Sequence, residues 1–209
     1  MSTDKQRKYD LMYMDIARRM SEMSFARRKK VGCVCVKDDR IISHGWNGTP
    51  TGFDNNCELE IWQDDAGYEW QNLLLDWKQI DVDTWQMPRG LLVRRKLKTK
   101  VECLHAESNT LLKLAKHGDS GKDSTLYTLL APCIECAKLI IQAGIKRVVY
   151  SEIYPVDQFS RQGGLDLLAK ANIWVEQLDM ATSGCHDNDN HDRELEATES
   201  IAPDDSFGH

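Results

Sequence analysis

Four side chains in this 209-residue chain have the types and spacing of a metal site with a proton carrier beside it. His105-Ala106-Glu107 opens one helical stretch, and Pro132-Cys133-Ile134-Glu135-Cys136 opens another, with a strand pattern between them. Two cysteines three apart on the first turn of a helix point their sulfurs the same way. Pro132 loses nothing at a helix start, where a backbone N–H has no intrahelical partner. The helix dipole and its free N–H groups favour the thiolates that a metal needs. One imidazole nitrogen and two thiolates are three ligands for a tetrahedral ion, which leaves the fourth position open to water, as in catalytic rather than structural zinc sites. Glu107 lies two residues past the histidine, close to such an ion without being needed as a ligand, where it can take up a proton and return it elsewhere. A lone C-x-x-C is often a redox or unligated pair, and a lone H-x-E means little; the two together on helix starts are specific.

The elements that must position these residues can be read around them. Tyr9, Met12, Ile16, Met20 and Met23 recur at helical steps and predict an opening helix with that face on a sheet. Val31–Val36 and Arg40–His44 flank Lys37-Asp38-Asp39 as a hairpin. Gly45–Gly52 is a shaped loop rich in glycine, with Asn47, Thr49 and Pro50. Over 58–102, Trp62, Trp70, Trp77 and Trp85 recur at intervals of eight, seven and eight on a partly helical pattern such as 70–77, which predicts a packed inserted subdomain or an oligomer contact. The basic run Arg94, Arg95, Lys96, Lys98 and Lys100 reads as a solvated face or a phosphate contact. From His105 onward, helices over 105–117, 133–143 and 164–170 alternate with strands over 124–130, 146–150 and 173–178. Five strands with helices between them predict a three-layer α/β/α domain with a mixed sheet over 1–181, whose strand ends open onto ligand. The stretch 182–209 is polar and acidic and reads as a disordered tail.

The totals bound the function. No apolar run approaches the ~18 residues of a membrane span, and the N-terminus interleaves charge with its apolar residues, unlike a secretory signal; the expectation is a cytoplasmic protein. The seven cysteines, at 33, 35, 57, 103, 133, 136 and 185, are odd in number and unevenly spaced, so they read as thiols or metal ligands. The net charge of −6 is concentrated in the tail, leaving 26 basic and 25 acidic residues in 1–181. A nucleic-acid surface normally shows as a basic excess, so a small-molecule partner is favoured over nucleic acid.

The H-x-E … P-C-x-x-C arrangement matches the signature of zinc deaminases of cytosine and adenine. Beyond it, the chain resembles the deoxycytidylate deaminase family, including its phage members, from about 8 to 178. The resemblance lies in Lys30-Val31-Gly32, Gly45-Trp46-Asn47-Gly48-Thr49-Pro50, Asn56-Cys57-Glu58, His105-Ala-Glu-Ser-Asn109 and Cys136–Tyr150. It implies a cytidine deaminase-like fold and hydrolytic deamination of dCMP to dUMP, feeding thymidylate synthesis. It implies that Zn2+ is held by His105, Cys133 and Cys136, and that Glu107 moves protons to N3 and then to the departing ammonia. It further implies that Asn47 contacts the sugar, the backbone N–H of Ala106 the pyrimidine carbonyl, Arg28 the phosphate, and that Tyr154 stands near the substrate. Relatives are typically hexamers activated by dCTP with Mg2+ and inhibited by dTTP near Gly45, Asn47 and Gly48. Some relatives hold a second, structural zinc; Cys57 and Cys103, with His44 or Cys33, are its candidate ligands, although no pair has ligand spacing. A dCTP deaminase, a polynucleotide or tRNA deaminase, and a non-catalytic zinc nucleotide sensor are the alternatives.

Overall fold

The computed structural model describes residues 4–70, 77–153 and 158–180, with Arg89 and Gln158 described by their backbone only. Helix α1 (Asp4–Ser21) leads into the hairpin β1 (Gly32–Lys37) and β2 (Arg40–Trp46). Asp38 and Asp39 turn that hairpin with φ of 51° and 58°, the paired left-handed residues of a two-residue type I′ turn. Strands β3 (Glu58–Gln63), β4 (Glu69–Trp70), β5 (Lys78–Gln79), β6 (Thr84–Gln86) and β7 (Leu92–Thr99) follow. Then come α2 (Ala106–His117), β8 (Thr125–Leu130), α3 (Ile134–Gln142), β9 (Arg147–Glu152), α4 (Gln158–Lys170) and β10 (Trp174–Gln177).

The main sheet has the order β10-β9-β8-β1-β2. Strands β8, β9 and β10 run parallel, and β1 is antiparallel to both β8 and β2. Period-2 alternation divides the core between two faces. Cys33, Cys35, Leu126 and Val148 meet Ala106, Leu111, Ala137, Ile140 and Leu168 of the three later helices. Val34, Val36, Tyr127 and Val149 meet Tyr13, Met14 and Ala17 of α1. This is the expected three-layer α/β/α architecture with a five-stranded mixed sheet.

Three local expectations are corrected. The buried face of α1 is Asp10, Tyr13, Met14, Ala17 and Ser21; Met12 is exposed, and Met23 lies beyond the helix end and is exposed as well. Tyr9, Ile16 and Met20 of the expected face do pack against the core on this side of the sheet; apolar counting missed Asp10 because a buried aspartate carries no apolar signal. Arg147 donates to both oxygens of Asp10 at 2.7 Å and Tyr127 donates to one at 2.8 Å. Second, α4 begins at Gln158 rather than 164. Gly163 and Gly164 mark a close approach, not a start: a Cβ on Gly164 would stand 2.2 Å from the Pro132 carbonyl oxygen. Third, the described part of the insertion is strands with one 3₁₀ turn at Pro88–Gly90, not helix; residues 71–76 of the proposed helical pattern lie outside the described residues.

The insertion forms a second, antiparallel sheet in the order β4-β3-β7-β6-β5. The tryptophans do pack: Trp62, Trp77 and Val93 form its core, with Trp70, Trp85 and Met87 against them. Trp62 meets Trp85, and Trp70 meets Trp77, edge to face at centroid distances of 5.9 Å, the arrangement the ring quadrupoles favour. Most of the basic run in and after β7 pairs with acids, Arg94 with Asp65, Arg95 with Asp83, Lys98 with Glu69 and Lys100 with Asp54, while Lys96 donates to the Gln63 amide oxygen.

Candidate active site

The starts of α2 and α3 bring the metal-ligand residues to one place, α3 directly after the parallel strand β8 and α2 after the segment that follows β7. His105 is the N-cap of α2 and Cys133 the N-cap of α3, both with extended backbone, and Cys136 sits on the first turn of α3. His105 Nδ1 lies 3.4 Å from the Sγ of Cys133 and 3.4 Å from the Sγ of Cys136. The three donor atoms all fall within 4.8 Å of one another, so one ion can touch all of them. Two sulfurs and an imidazole nitrogen are a donor set that suits zinc and leaves a coordination position open. α4 backs this turn: Arg161 donates to the Ala131 carbonyl, and Gly164 lets the helix close on Pro132.

The site's electrostatics follow from burial and crowding. The Cys133 thiol is pushed down to about 3, first by a hydrogen bond from Cys136 and then, against burial, by His105. Cys136 is pushed up, by sharing that proton with Cys133 and by burial. His105 is raised by its bond to Cys133 against the effect of burial. Glu107 is 1 % exposed, and burial raises its carboxyl above the ordinary glutamate value, against the pull of His105 and Arg161. Its Oε1 has no hydrogen-bond partner among the described residues. A buried carboxylate oxygen left unpaired is costly, and its place in the cleft beside His105 is where substrate and water would complete it.

The cleft over this group is lined by Arg28, Lys29, Val31, Asn47, Glu58, Thr99, Cys103, Ala106, Leu130 and Arg161 as well as His105 and Glu107. Asn47, Ala106 and Arg28 therefore stand at one opening with the metal group. Ala106 is the first residue of α2, a position whose N–H has no intrahelical acceptor. The Asn47 amide holds the chain before β1: its Oδ1 accepts from Val31 N–H at 2.8 Å and its Nδ2 donates to the Lys29 carbonyl at 3.0 Å. Each end of an amide keeps a second hydrogen-bonding position for a ligand. Gly48 exchanges backbone hydrogen bonds with Leu104, fixing the approach to His105. Gly45 lies under α2, where a Cβ would be 2.9 Å from the Ala106 oxygen. Tyr154 lies outside the described residues, as do Cys185 and the stretch 182–209.

The second zinc group is not assembled among the described residues, where His105, Cys133 and Cys136 form the one metal-binding cluster of three. Cys33 is sealed in the main core and His44 sits on the exposed side of β2, so neither joins Cys57 and Cys103. Two lining residues had no sequence signal, Thr99 in the insertion and Arg161 in a polar stretch before two glycines; Glu58 stood in the Asn56-Cys57-Glu58 block of the resemblance but without a role.

A nitrogen and two thiolates at helix starts, beside a buried glutamate under an α/β/α sheet, define a zinc-dependent hydrolytic deaminase. The family described as cytidine and deoxycytidylate deaminase zinc-binding region matches residues 7–152, and the chain belongs to that family. Deoxycytidylate deaminase of Enterobacteria phage T2 is 34% identical over 170 residues, spanning 78% of this chain and 88% of that one. The Saccharomyces cerevisiae deoxycytidylate deaminase is also 34% identical over 170 residues, but spans 81% of this chain and 45% of its own. Among solved structures, dCMP deaminase from the cyanophage S-TIM5 in complex with dCMP and dUMP has a TM-score of 0.58 at 30% identity, covering 85% of this chain and all of that one.

Proposed function

We propose that this protein deaminates dCMP to dUMP. The observation that carries the reading is one cleft lined by His105 and Glu107, with the donor atoms of His105, Cys133 and Cys136 within 4.8 Å of one another, a buried Glu107 oxygen that has no hydrogen-bond partner among the described residues, and the cations Arg28 and Lys29 on the wall. The phage and yeast relatives named deoxycytidylate deaminase, and the neighbour solved with dCMP and dUMP, support the substrate.

Zinc held by His105, Cys133 and Cys136 would supply the polarisation that makes water nucleophilic near neutral pH. Glu107 takes one proton from the attacking water and delivers it to ring N3, then takes the second from the hydroxyl now on C4 and passes it to the amine, which leaves as ammonia when the C4–N bond breaks. C4 thereby gains oxygen and releases ammonia. The Ala106 N–H donates to the pyrimidine carbonyl, the Asn47 amide meets the deoxyribose hydroxyl, and Arg28 faces the 5′-phosphate. The product is the substrate for thymidylate synthesis. The apolar residues exposed on and after α1, Met12, Met23 and Phe25, support a homo-oligomer.

The test is a substrate panel of dCMP, dCTP, deoxycytidine and single-stranded DNA, followed by loss of cytosine absorbance. It is run with and without dCTP plus Mg2+, and with and without dTTP. Turnover of dCMP is expected; turnover on the polynucleotide alone overturns the reading.

A further inference from the structure

The stretch Arg27–Lys30 holds four consecutive cations, of which Arg28 and Lys29 line the cleft, and it is fastened at two points. Asn47 grips its later half, through Lys29 and Val31. Glu58, the first residue of β3, grips its earlier half. The Arg27 N–H donates to both Glu58 oxygens at 3.1 Å, and the Arg28 N–H donates to Oε1 at 3.2 Å. The Glu58 side chain is 2 % exposed. A carboxylate is costly to bury unless hydrogen bonds surround it, and here main-chain N–H groups provide them. Such bonds fix the path of the chain itself. Register adds a second tie: Thr99 pairs with Glu58 across β3 and β7, and its Oγ1 accepts from Arg28 Nη1 at 3.2 Å. Glu58, Thr99, Arg28 and Lys29 all line the cleft that holds Glu107.

We infer that Glu58, with Thr99, is a positioning residue for the phosphate end of the substrate, and that the tryptophan-rich insertion is part of the active site. The inference rests on the dCMP reading. Without these ties, Arg28 and its backbone would have to be ordered when substrate binds, and that lost freedom is subtracted from affinity. With them, the ordering is complete once the chain has folded. Neither residue belongs to the metal group or carries the protons, so the effect belongs to binding of the phosphorylated substrate and not to the chemical step.

The experiment compares dCMP with deoxycytidine, which lacks the phosphate, in the zinc-loaded full chain. Glu58→Gln keeps the shape and one acceptor but removes the charge. It is expected to raise the KM for dCMP about tenfold, the loss of a charge-assisted hydrogen bond, with kcat within about twofold. The kcat/KM for deoxycytidine stays level, as does zinc content. Thr99→Val removes only the tie to the Arg28 side chain and raises the KM for dCMP about threefold with the same split. It decides the matter where Glu58→Gln fails to fold. Equal proportional losses on both substrates, or no change in KM in either variant, overturn the inference. A wild-type protein that does not turn over dCMP fails the dCMP reading itself and takes this inference with it, an outcome seen before any variant is made.

Discussion

The two sheets reach the same cleft by different physics. The main sheet is buried on both faces and places its chemistry on helix N-caps, His105 and Cys133, which rigid packing holds in register. The insertion sheet is held by one tryptophan cluster and by ion pairs between exposed side chains, and it sends Glu58 and Thr99 to the rim. A reacting group tolerates little displacement, so it sits where packing is dense. A recognition group can sit on the less buried sheet, provided hydrogen bonds fix its backbone. Damage to the first sheet should therefore cost turnover or folding, and damage to the second should cost substrate affinity.

The largest expected effect is at Glu107. Glu107→Gln should lower kcat by roughly 10²–10⁴-fold, the range for a lost general acid–base group, while zinc content and dUMP affinity, read by metal analysis and calorimetry, stay near wild type. Next is the buried ion pair under α1. Burial pushes the Asp10 carboxyl up, but the hydrogen bonds from Arg147, Gln6 and Tyr127 outweigh it and hold its pKa below the ordinary value of 3.8. Folding therefore favours the deprotonated form. Its contribution is complete above about pH 3.8 and is lost as pH falls through the lower folded value. Arg147→Met leaves that carboxylate buried without its cation, held only by Gln6 and Tyr127, and should cost about 3–5 kcal/mol in chemical denaturation.

Trp77→Ala opens the insertion core and should cost about 3 kcal/mol. It should raise the KM for dCMP while leaving zinc content and kcat close to wild type; a collapse of kcat would erase the division between the sheets. Smallest is Arg94→Ala, which removes an ion pair to Asp65 whose side chains are 58% and 78% exposed. Less than about 1 kcal/mol is expected in thermal melts, because water and salt screen such pairs.

What was legible in the sequence divides along the same line. His105, Glu107, Cys133 and Cys136 could be read because a helix start converts short spacing into direction, with no need for distant partners. The main strands could be read from their apolar runs. The α1 face was legible in part, through Tyr9, Ile16 and Met20, but not at Asp10, which is buried by an arginine 137 positions away. Nor could the start of α4, because a glycine pair signals a helix end locally while here it admits the Pro132 turn. Glu58 and Thr99 become neighbours only through the register of β3 on β7, and their hold on Arg27 and Arg28 spans a loop whose path the sequence leaves open. The tryptophan spacing announced packing but not the strands that carry it.

The most direct measurement strips the protein of metal with a chelator and restores zinc in steps while dCMP turnover is followed. Turnover should be absent at the start and rise in proportion to bound zinc, saturating at one ion per chain, the capacity of the single cluster formed by His105, Cys133 and Cys136 among the described residues. Full dCMP turnover in the zinc-free protein would contradict zinc-dependent deamination at this site.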